Sequence, residues 1–405
     1  MSEYTELTAK IEALEKRVKY LEDTFATLAD MNKSSEMGQF IAQRQRVLIA
    51  SKLVNAAAGT QKLNADAQQQ VIDQLAAEKA AMDAKIEEAI RASAQNTPVE
   101  DALAEQFTYR DVPGGVEIQG FTGFDVGEEL IIPQKIKEKT VVGIGEEAFA
   151  NCTNLSWVTF SQKLETIPRL CFAGCSSLSR IELPDSVTKI EEGAFAKCTD
   201  LASVKLSKNL KEMSAHAFFN DDKIQSIWIP KSLEKCQTSY IPEYVWGYVN
   251  GPFYGCDGLK TVTFEDGRTK IPAGLFANCT GLEEVTIPEK VTELEEDAFA
   301  DCKSLRTVNF NENLTVIGHR AFVNSGVEKA ELPKSLTTIW CCAFGNCTAL
   351  KEVFIPRKLA NYKTSTSFIT HTDAFGNCAN LKTVTFEKGT TAIVSQLFAQ
   401  CNGLE

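Results

Sequence analysis

The sequence has few histidines and no cluster of basic residues. Three of its 405 residues are histidine, and 54 Asp and Glu outnumber 42 Lys and Arg, so the formal net charge is -12. Proteins that bind nucleic acid or an anionic membrane surface need clustered Lys and Arg to contact phosphate groups. Nucleic acid is therefore not expected as a partner.

Long apolar runs are also missing. No stretch approaches the roughly 18 apolar residues of a membrane span. The first residues, MSEYTELTAKIEALEKRV, are acidic where a signal peptide needs a basic region and an apolar core. We therefore expect no membrane insertion and a cytoplasmic location. The alternative is an extracellular or surface location that is reached by another export route.

Motifs of familiar catalytic and cofactor chemistry are absent from the sequence. It contains no G-x-S-x-G, H-E-x-x-H, Walker A or G-x-G-x-x-G pattern. The histidines His216, His319 and His371 stand far apart and match no metal-ligand spacing. We therefore expect that the protein is not an enzyme and that it holds no cofactor and no metal.

A repeated segment fills most of the chain. Stretches such as AFANCTNLSWVTF, AFADCKSLRTVNF and AFGNCTALKEVFIP recur, and most neighbouring copies are 22 or 23 residues apart, with exceptions of 35 and 31. The aligned phenylalanines are Phe149, Phe172, Phe195, Phe218, Phe253, Phe276, Phe299, Phe322, Phe344, Phe375 and Phe398. A fixed period of this length is typical of a stacked solenoid.

The repeat unit reads A-F-x-x-C-x-x-L-x-x-V-x-I-P. Its L-x-x-V-x-I part alternates as a short strand with one buried face does, and Pro ends the strand because it cannot donate a ladder hydrogen bond. The unit therefore predicts one strand per repeat, with successive strands stacked in parallel. No single repeat can bury its own apolar face, so the copies must pack on each other.

Most cysteines occupy one position of the repeat, three residues after the phenylalanine. They are Cys152, Cys175, Cys198, Cys256, Cys279, Cys302, Cys347, Cys378 and Cys401, while Asp221 and Ser325 take this position in two repeats. Neighbours in such a ladder lie about one strand spacing apart, which is farther than the Cβ separation that a disulfide prefers. We therefore predict a ladder of reduced, buried thiols that act as small apolar side chains.

The repeat resembles the BspA-like (Treponema pallidum type) leucine-rich-repeat family, which has the same A-F-x-x-C-x-x-L-x-x-V-x-I-P frame. The resemblance covers residues 107–405. It implies an N-terminal cap with a first incomplete repeat over 107–148 and a solenoid over 149–405, with insertions near 237–250 and 362–372. The predicted fold class is an α/β-type leucine-rich-repeat solenoid preceded by an α-helical coiled coil. The resemblance also implies surface attachment or binding to host proteins, which are the roles of several relatives in the family.

Residues 1–100 are predicted to be helical. Seven apolar residues follow the 4-3 spacing of a coiled-coil seam, and the charges of EKRVKYLED flank it. They are Leu7, Ile11, Leu14, Val18, Leu21, Phe25 and Leu28. The interpretation that we favour is self-association through a parallel dimer or trimer. An antiparallel bundle within one chain is the alternative.

Candidate ligand-binding residues are the aromatic exceptions in an otherwise polar pattern. On the concave, solvent-facing side of the predicted strands, short polar residues prevail, apart from Trp157, Trp228 and Phe354. The first insertion, CQTSYIPEYVWGYVNGPF, adds Tyr240, Tyr244, Trp246 and Tyr248. Exposed aromatic residues are typical of interfaces. The alternative is that these side chains only cover the cap or patch the break in the repeat.

These features favour a binding scaffold. The first hypothesis is recognition of a protein, or of a glycan, through the concave face and the aromatic insertion, made multivalent by the helical N-terminus. The alternative is a structural or assembly component, such as a fibre or tail-like spacer, that has no specific ligand.

Overall fold

The structure, a computed structural model, describes residues 106–122, 128–241, 248–364 and 373–404. These residues all belong to one unit of the chain, Ala102–Glu405. The predicted coiled-coil seam, Leu7 to Leu28, lies outside the described residues and stays a prediction. None of the described residues form a helix with the length and apolar character needed to cross a lipid bilayer.

The described residues form strands joined by turns. The first strands are β1 (Phe107–Val112), β2 (Gly115–Phe121), β3 (Glu129–Ile131), β4 (Lys135–Ile136) and β5 (Lys139–Ile144). The next are β6 (Trp157–Thr159), β7 (Thr166–Ile167), β8 (Arg180–Glu182), β9 (Lys189–Ile190), β10 (Ser203–Lys205), β11 (Glu212–Met213), β12 (Ser226–Ile229) and β13 (Lys235–Cys236). Then come β14 (Ser239–Ile241), β15 (Tyr248–Asn250), β16 (Thr261–Phe264), β17 (Lys270–Ile271), β18 (Glu284–Thr286), β19 (Glu293–Leu294) and β20 (Thr307–Asn309). The last are β21 (Val316–Ile317), β22 (Lys329–Glu331), β23 (Thr338–Trp340), β24 (Glu352–Ile355), β25 (Asn361–Lys363) and β26 (Thr383–Phe386).

Each full repeat contributes two strands that join two separate rows. Row A is formed by the predicted L-x-x-V-x-I strands, hydrogen-bonded in the orders β3-β6-β8-β10, β12-β16, β18-β20 and β22-β24-β26. Row B is formed by shorter strands, in the orders β7-β9-β11-β13 and β17-β19-β21-β23-β25. Both rows are parallel; Val158 of β6, for instance, lies opposite Leu130 of β3. The predicted parallel strands are thus confirmed, but the prediction of a single strand per repeat was wrong.

The third side of each repeat is the turn that contains the repeat phenylalanine, and it is not helical. The residue before the cysteine position, which Ser325 takes in one repeat, has a positive φ in many repeats, for example Asn151 at 59°, Gly174 at 74° and Asn324 at 57°. A helix cannot continue through a left-handed residue, which Asn and Gly tolerate best. No helix occurs among the described residues, so the α/β-type label is corrected to a solenoid of strands and turns in this part of the chain.

The core is a continuous stack of the repeat phenylalanines. From Phe149 to Phe398 successive ring centroids lie 4.9–5.8 Å apart with interplanar angles of 5–17°. These separations suit offset-stacked aromatic pairs. Phe107 of β1 meets the ring of Phe149 edge-on at 6.3 Å, so the β1–β2 hairpin covers the first ring of the stack.

Both insertions leave this stack unbroken. The rings that flank the first insertion, Phe218 and Phe253, lie 5.2 Å apart, and those that flank the second, Phe344 and Phe375, lie 5.0 Å apart. Both insertions follow a row B strand, β13 or β25, and precede the next phenylalanine turn. Both insertions therefore fall at the same corner of the repeat, and the stack of rings continues across each of them.

The cysteine ladder has the form that its spacing predicts. None of the cysteines forms a disulfide, and all except Cys152 are buried. The ladder thiols from Cys175 onwards donate to the carbonyl oxygen of the phenylalanine in the preceding repeat; Cys302 contacts Phe276 O at 3.2 Å and Cys347 contacts Phe322 O at 3.0 Å. Burial raises the pKa of the Cys347 thiol to about 12. These thiols are structural groups because the reactive thiolate is disfavoured.

Candidate binding face

The outward side of row A is a regular surface that the stacked repeats build, and we call it the row A face. The central residue of each strand packs against the core: Val158, Ile181, Val285 and Val353 are at most 2% exposed, whereas Val204, Val262 and Val384 are half-buried. The residues on either side of it point outwards and are exposed or half-buried. The predicted alternation of buried and outward residues in these strands is therefore confirmed.

The three aromatic candidates of this face lie on it but far apart. Trp157 is on β6, Trp228 on β12 and Phe354 on β24, and each is half-buried. Three strand steps separate the two tryptophans and five separate Trp228 from Phe354, which correspond to about 14 Å and about 24 Å at a spacing of 4.8 Å per strand. The structure thus does not gather them into one small-molecule pocket. Their separation fits contact with a macromolecule.

Trp157 borders a charged patch. In register, Trp157 stands between Glu129 and Arg180 of the neighbouring strands. The guanidinium of Arg180 donates to Glu182 at 3.1 Å, and Lys205 donates to the same carboxylate. Burial opposes ionisation, but Lys205 and Arg180 outweigh it and hold the pKa of Glu182 below its usual value. The patch presents both signs of charge beside an aromatic ring, as the rims of protein interfaces do.

The other two aromatic residues have polar neighbours. Trp228 lies opposite Thr263, while Phe354 lies between Glu331 and Thr385. The partners in register have short or flexible side chains, so both rings project from a polar surface. A ring in such a setting is available to an incoming partner.

The two strands near the start and the end of the aromatic insertion pair with each other and form one hairpin. β14 pairs with β15 in antiparallel order, with Tyr240 opposite Val249 and Ile241 opposite Tyr248. Tyr244 and Trp246 lie outside the described residues. Because the hairpin follows the row B strand β13, it belongs to a different segment of the repeat from the row A strands.

A further aromatic cluster beside this hairpin was missed in the sequence. The rings of Phe219 and Tyr254 stack at 5.4 Å, and His216 meets both of them edge-on at 5.6 and 5.7 Å. Phe219 and Tyr254 directly follow a repeat phenylalanine, a position that Ala, Gly or Val holds in the other repeats. That departure from small residues was the available signal.

A second missed cluster is polar and buried. Donor atoms of His319, Cys341 and Cys342 all lie within 4.8 Å of one another, and each residue is at most 5% exposed. His319 Nδ1 lies 2.9 Å from Glu296 Oε1. Burial disfavours the imidazolium, but hydrogen bonds with Cys342 and Glu296 outweigh it and raise the pKa of His319 to about 9. Histidine and cysteine in different repeats showed no ligand spacing along the sequence, yet the stacking makes them neighbours.

A buried ion pair is formed by the two residues that directly follow His319 and Glu296 in the sequence. Arg320 Nε donates to Asp297 Oδ1 at 2.8 Å, and both side chains are about 95% buried, with 5% and 6% exposed. Burial raises the pKa of Asp297 to about 7, although Arg320 opposes the shift. The pair links two successive repeats through charge-assisted hydrogen bonding.

The repeat geometry agrees with a comparison against protein families. Six copies of the BspA type leucine rich repeat region match the chain, over residues 128–244, 241–351 and 269–405. The chain belongs to the BspA-type leucine-rich-repeat family. The match covers both insertions and every row A strand from β3 onwards, and it indicates no catalytic family.

A solved structure of a bacterial leucine-rich repeat protein shares the fold, and two further solved structures show a weaker similarity. A leucine-rich repeat protein from Bacteroides ovatus is 24% identical, with a TM-score of 0.54, over 74% of this chain and 80% of that chain. The leucine-rich repeat protein of T. pallidum is 24% identical, with a TM-score of 0.39, over 57% of this chain and 89% of that one. The pneumococcal vaccine antigen PcpA is 20% identical, with a TM-score of 0.43, over 74% and 84%. A comparison with curated proteins found no match.

Proposed function

We propose that this protein is a non-enzymatic scaffold that binds a protein partner through the row A face. The observation that carries the proposal is the placement of Trp157, Trp228 and Phe354 as half-buried rings on a long polar sheet surface. Family membership supports the general role, because leucine-rich repeats build extended surfaces from stacked units. Rings spread over many strands suit the large contact area of a protein partner better than a compact ligand.

The aromatic insertion is the second part of the proposed interface. Tyrosine and tryptophan are enriched among residues that carry binding energy. Tyr240 and Tyr248 belong to the paired strands β14 and β15, and the stacked pair Phe219–Tyr254 adds two described rings at the turns on either side of the first insertion. A partner that contacts both the row A face and this corner has to extend over two sides of the repeat.

The first test is a binding measurement with the full chain. The immobilised protein is screened against purified bacterial and host surface proteins and against a glycan array, and affinities for the protein that binds are then measured for variants. Replacing Trp157, Trp228 and Phe354 together with threonine, the type of residue that other row A strands carry, is expected to weaken binding at least tenfold. Loss of a buried interface aromatic commonly costs about 2 kcal/mol or more.

The matched control for this test is a variant with Thr263, Thr286 and Thr385 changed to alanine, which alters the same face without removing a ring. It is expected to bind within about twofold of the native chain. A second variant with Tyr240, Tyr244, Trp246 and Tyr248 changed to serine tests the insertion separately. Unchanged affinity of both aromatic variants would refute the proposed interface, and binding to glycans alone would refute a protein partner.

We further propose that the N-terminal segment makes the scaffold multivalent through self-association. Deleting residues 1–35 is expected to lower the mass measured by light scattering to that of a single chain, while the circular dichroism of the repeats is preserved. Avidity for a surface coated with the partner should then fall by about 100-fold or more, because linked sites bind as one unit. The same mass with and without the segment would contradict the prediction.

A further inference from the structure

Among the described residues, one group of histidine, cysteine and carboxylate side chains is close enough to share a metal ion. It consists of His319, which follows β21, and of Cys341 and Cys342, which follow β23 of the next repeat. Their donor atoms lie within 4.8 Å of one another, and all three residues are buried. Two sulfur atoms and one imidazole nitrogen are a donor set that suits zinc, because soft thiolate and borderline imidazole ligands select this ion over calcium or magnesium.

The separation of the donors is close to the separation that zinc needs. With Zn–S bonds of about 2.3 Å and Zn–N bonds of about 2.0–2.1 Å in a tetrahedron, the two sulfur atoms would be about 3.8 Å apart and each sulfur about 3.5 Å from the nitrogen. Because the donor atoms lie within 4.8 Å of one another, their separations exceed these distances by at most about 1 Å. Three protein ligands leave one position of a tetrahedral ion to water, which is the open coordination pattern and not the closed four-ligand set of a purely structural site.

Glu296 gives the histidine the orientation that a ligand requires. Its Oε1 atom lies 2.9 Å from His319 Nδ1. An ionised carboxylate only accepts hydrogen bonds, so Nδ1 is protonated, and a metal at Nε2 would displace the proton that the imidazolium carries there. A carboxylate that accepts from the non-ligating nitrogen of a histidine is the usual second partner of a zinc-bound imidazole.

Charge balance favours the ion in this buried place. Two thiolates and a neutral imidazole carry two negative charges, which match the two positive charges of Zn²⁺. The assembled site is then neutral, so that burial costs little. By contrast, two buried thiolates without a cation would be strongly disfavoured. Binding therefore releases the thiol protons.

Cys341 and Cys342 also differ from the cysteines of the ladder. A ladder thiol such as Cys302 donates to a backbone carbonyl, Phe276 O at 3.2 Å, which keeps it protonated and satisfied. Cys341 and Cys342 precede the repeat phenylalanine Phe344 instead, in positions that other repeats fill mainly with charged or small residues. They face the imidazole of the neighbouring repeat.

We propose that His319, Cys341 and Cys342 form a zinc-binding site, with Glu296 holding the imidazole in place. The site would join two successive repeats shortly before the second insertion. A metal at this point would link the turn of Cys342 to the turn of His319. The site is independent of the proposed binding function.

The first experiment measures zinc in the full chain. Protein is reduced, stripped with a chelator, incubated with ZnSO₄ and freed of excess metal by gel filtration. We expect one zinc per chain by elemental analysis. CoCl₂ in place of zinc is expected to give the sulfur-to-cobalt charge-transfer absorption of a thiolate site. Retention of no zinc by the folded native chain would overturn the proposal, and so would retention of Cu⁺ without Zn²⁺.

Variants distinguish this site from adventitious binding to other thiols. Cys341→Ser, Cys342→Ser and His319→Gln are each expected to lose the stoichiometric zinc, and Glu296→Gln is expected to weaken affinity by about 10–100-fold. Cys302→Ser is the matched control, since it removes a buried thiol of the neighbouring repeat and should retain one zinc. Equal loss in the control, or full retention in the Cys341→Ser, Cys342→Ser double variant, would overturn the assignment.

A measurement on the native chain avoids variants that fail to fold. The protein is alkylated in mild denaturant with and without ZnSO₄, and the modified cysteines are identified by mass spectrometry. Zinc is expected to slow the alkylation of Cys341 and Cys342 at least tenfold, and to leave the rate at Cys302 unchanged. Equal rates with and without zinc at Cys341 and Cys342 would refute the site.

Discussion

Replacing Phe299 with alanine is expected to lower the free energy of unfolding by about 3–5 kcal/mol, the usual cost of removing a buried aromatic ring. Phe299 is fully buried and stacks on Phe276 at 5.7 Å and on Phe322 at 5.4 Å. Each repeat of a solenoid is stabilised mainly by its two neighbours. The cavity left by the ring therefore weakens two interfaces between repeats, and urea unfolding followed by circular dichroism measures the loss.

The matched control is Phe398→Ala. Phe398 is the last ring of the stack, is only partly buried, and has one stacked neighbour, Phe375 at 5.3 Å. Its loss is expected to cost less than half as much. Phe299→Leu, which keeps most of the apolar volume, should lie between the native chain and the alanine variant. Equal costs at Phe299 and Phe398 would show that the rings do not stabilise the repeats through their neighbours.

Replacing Asp221 with cysteine is expected to stabilise the protein by about 3 kcal/mol at neutral pH, the upper end for removing an unsatisfied buried polar group. Asp221 takes the position of a ladder cysteine, is fully buried, and has no hydrogen-bond partner at either carboxylate oxygen. A cysteine in this position can donate to the carbonyl oxygen of Phe195, as the other ladder thiols do to theirs. The change thus removes a cost and restores a contact.

The stabilisation by Asp221→Cys is expected to grow with pH. Burial raises the pKa of Asp221 well above its usual value, and the neighbouring Asp222 adds to the shift, although the nearby backbone of Cys198 opposes it. In the unfolded chain the carboxyl loses its proton near pH 4, whereas in the folded chain it keeps the proton to higher pH. The native chain therefore loses stability at about 1.4 kcal/mol per pH unit from pH 4 up to the raised pKa.

Unfolding titrations from pH 4 to pH 8 measure this dependence. The difference between Asp221→Cys and the native chain should be smallest at pH 4 and should increase towards neutral pH. Asp221→Asn should remove the pH dependence without restoring the ladder contact, and Asp266→Asn, at an exposed position, should change neither. A constant difference across the range would contradict the ionisation argument.

The positions of the two insertions show which part of the repeat stabilises the fold and which part can vary in length. Because the stack of rings continues from Phe218 to Phe253 and from Phe344 to Phe375, the residues between them can vary in length without opening the core. Loop residues that do not support the core are free to take on binding roles. This separation supports placing the aromatic insertion among the proposed contacts, beside the row A face.

The repeat itself could be predicted from the sequence in detail. The columns of Phe, Cys and Leu recur at a fixed period, and alternation within L-x-x-V-x-I identifies the buried side of each row A strand. These features depend on residues that are near one another in the chain, such as Val158 between the outward residues Trp157 and Thr159. Local patterns of this kind are set by the geometry of a single strand, and therefore they appear in the sequence.

The tertiary structure decided what depends on stacking. The two-residue strands of row B are too short to show a period, and they form only because neighbouring repeats supply their hydrogen bonds. Stacking also places His319 beside Cys342, and it buries the carboxylate oxygens of Asp221 where they have no hydrogen-bond partner. Residues 22 or 23 apart in the chain become neighbours across one strand spacing, so chemistry between repeats is visible only when the repeats are in place.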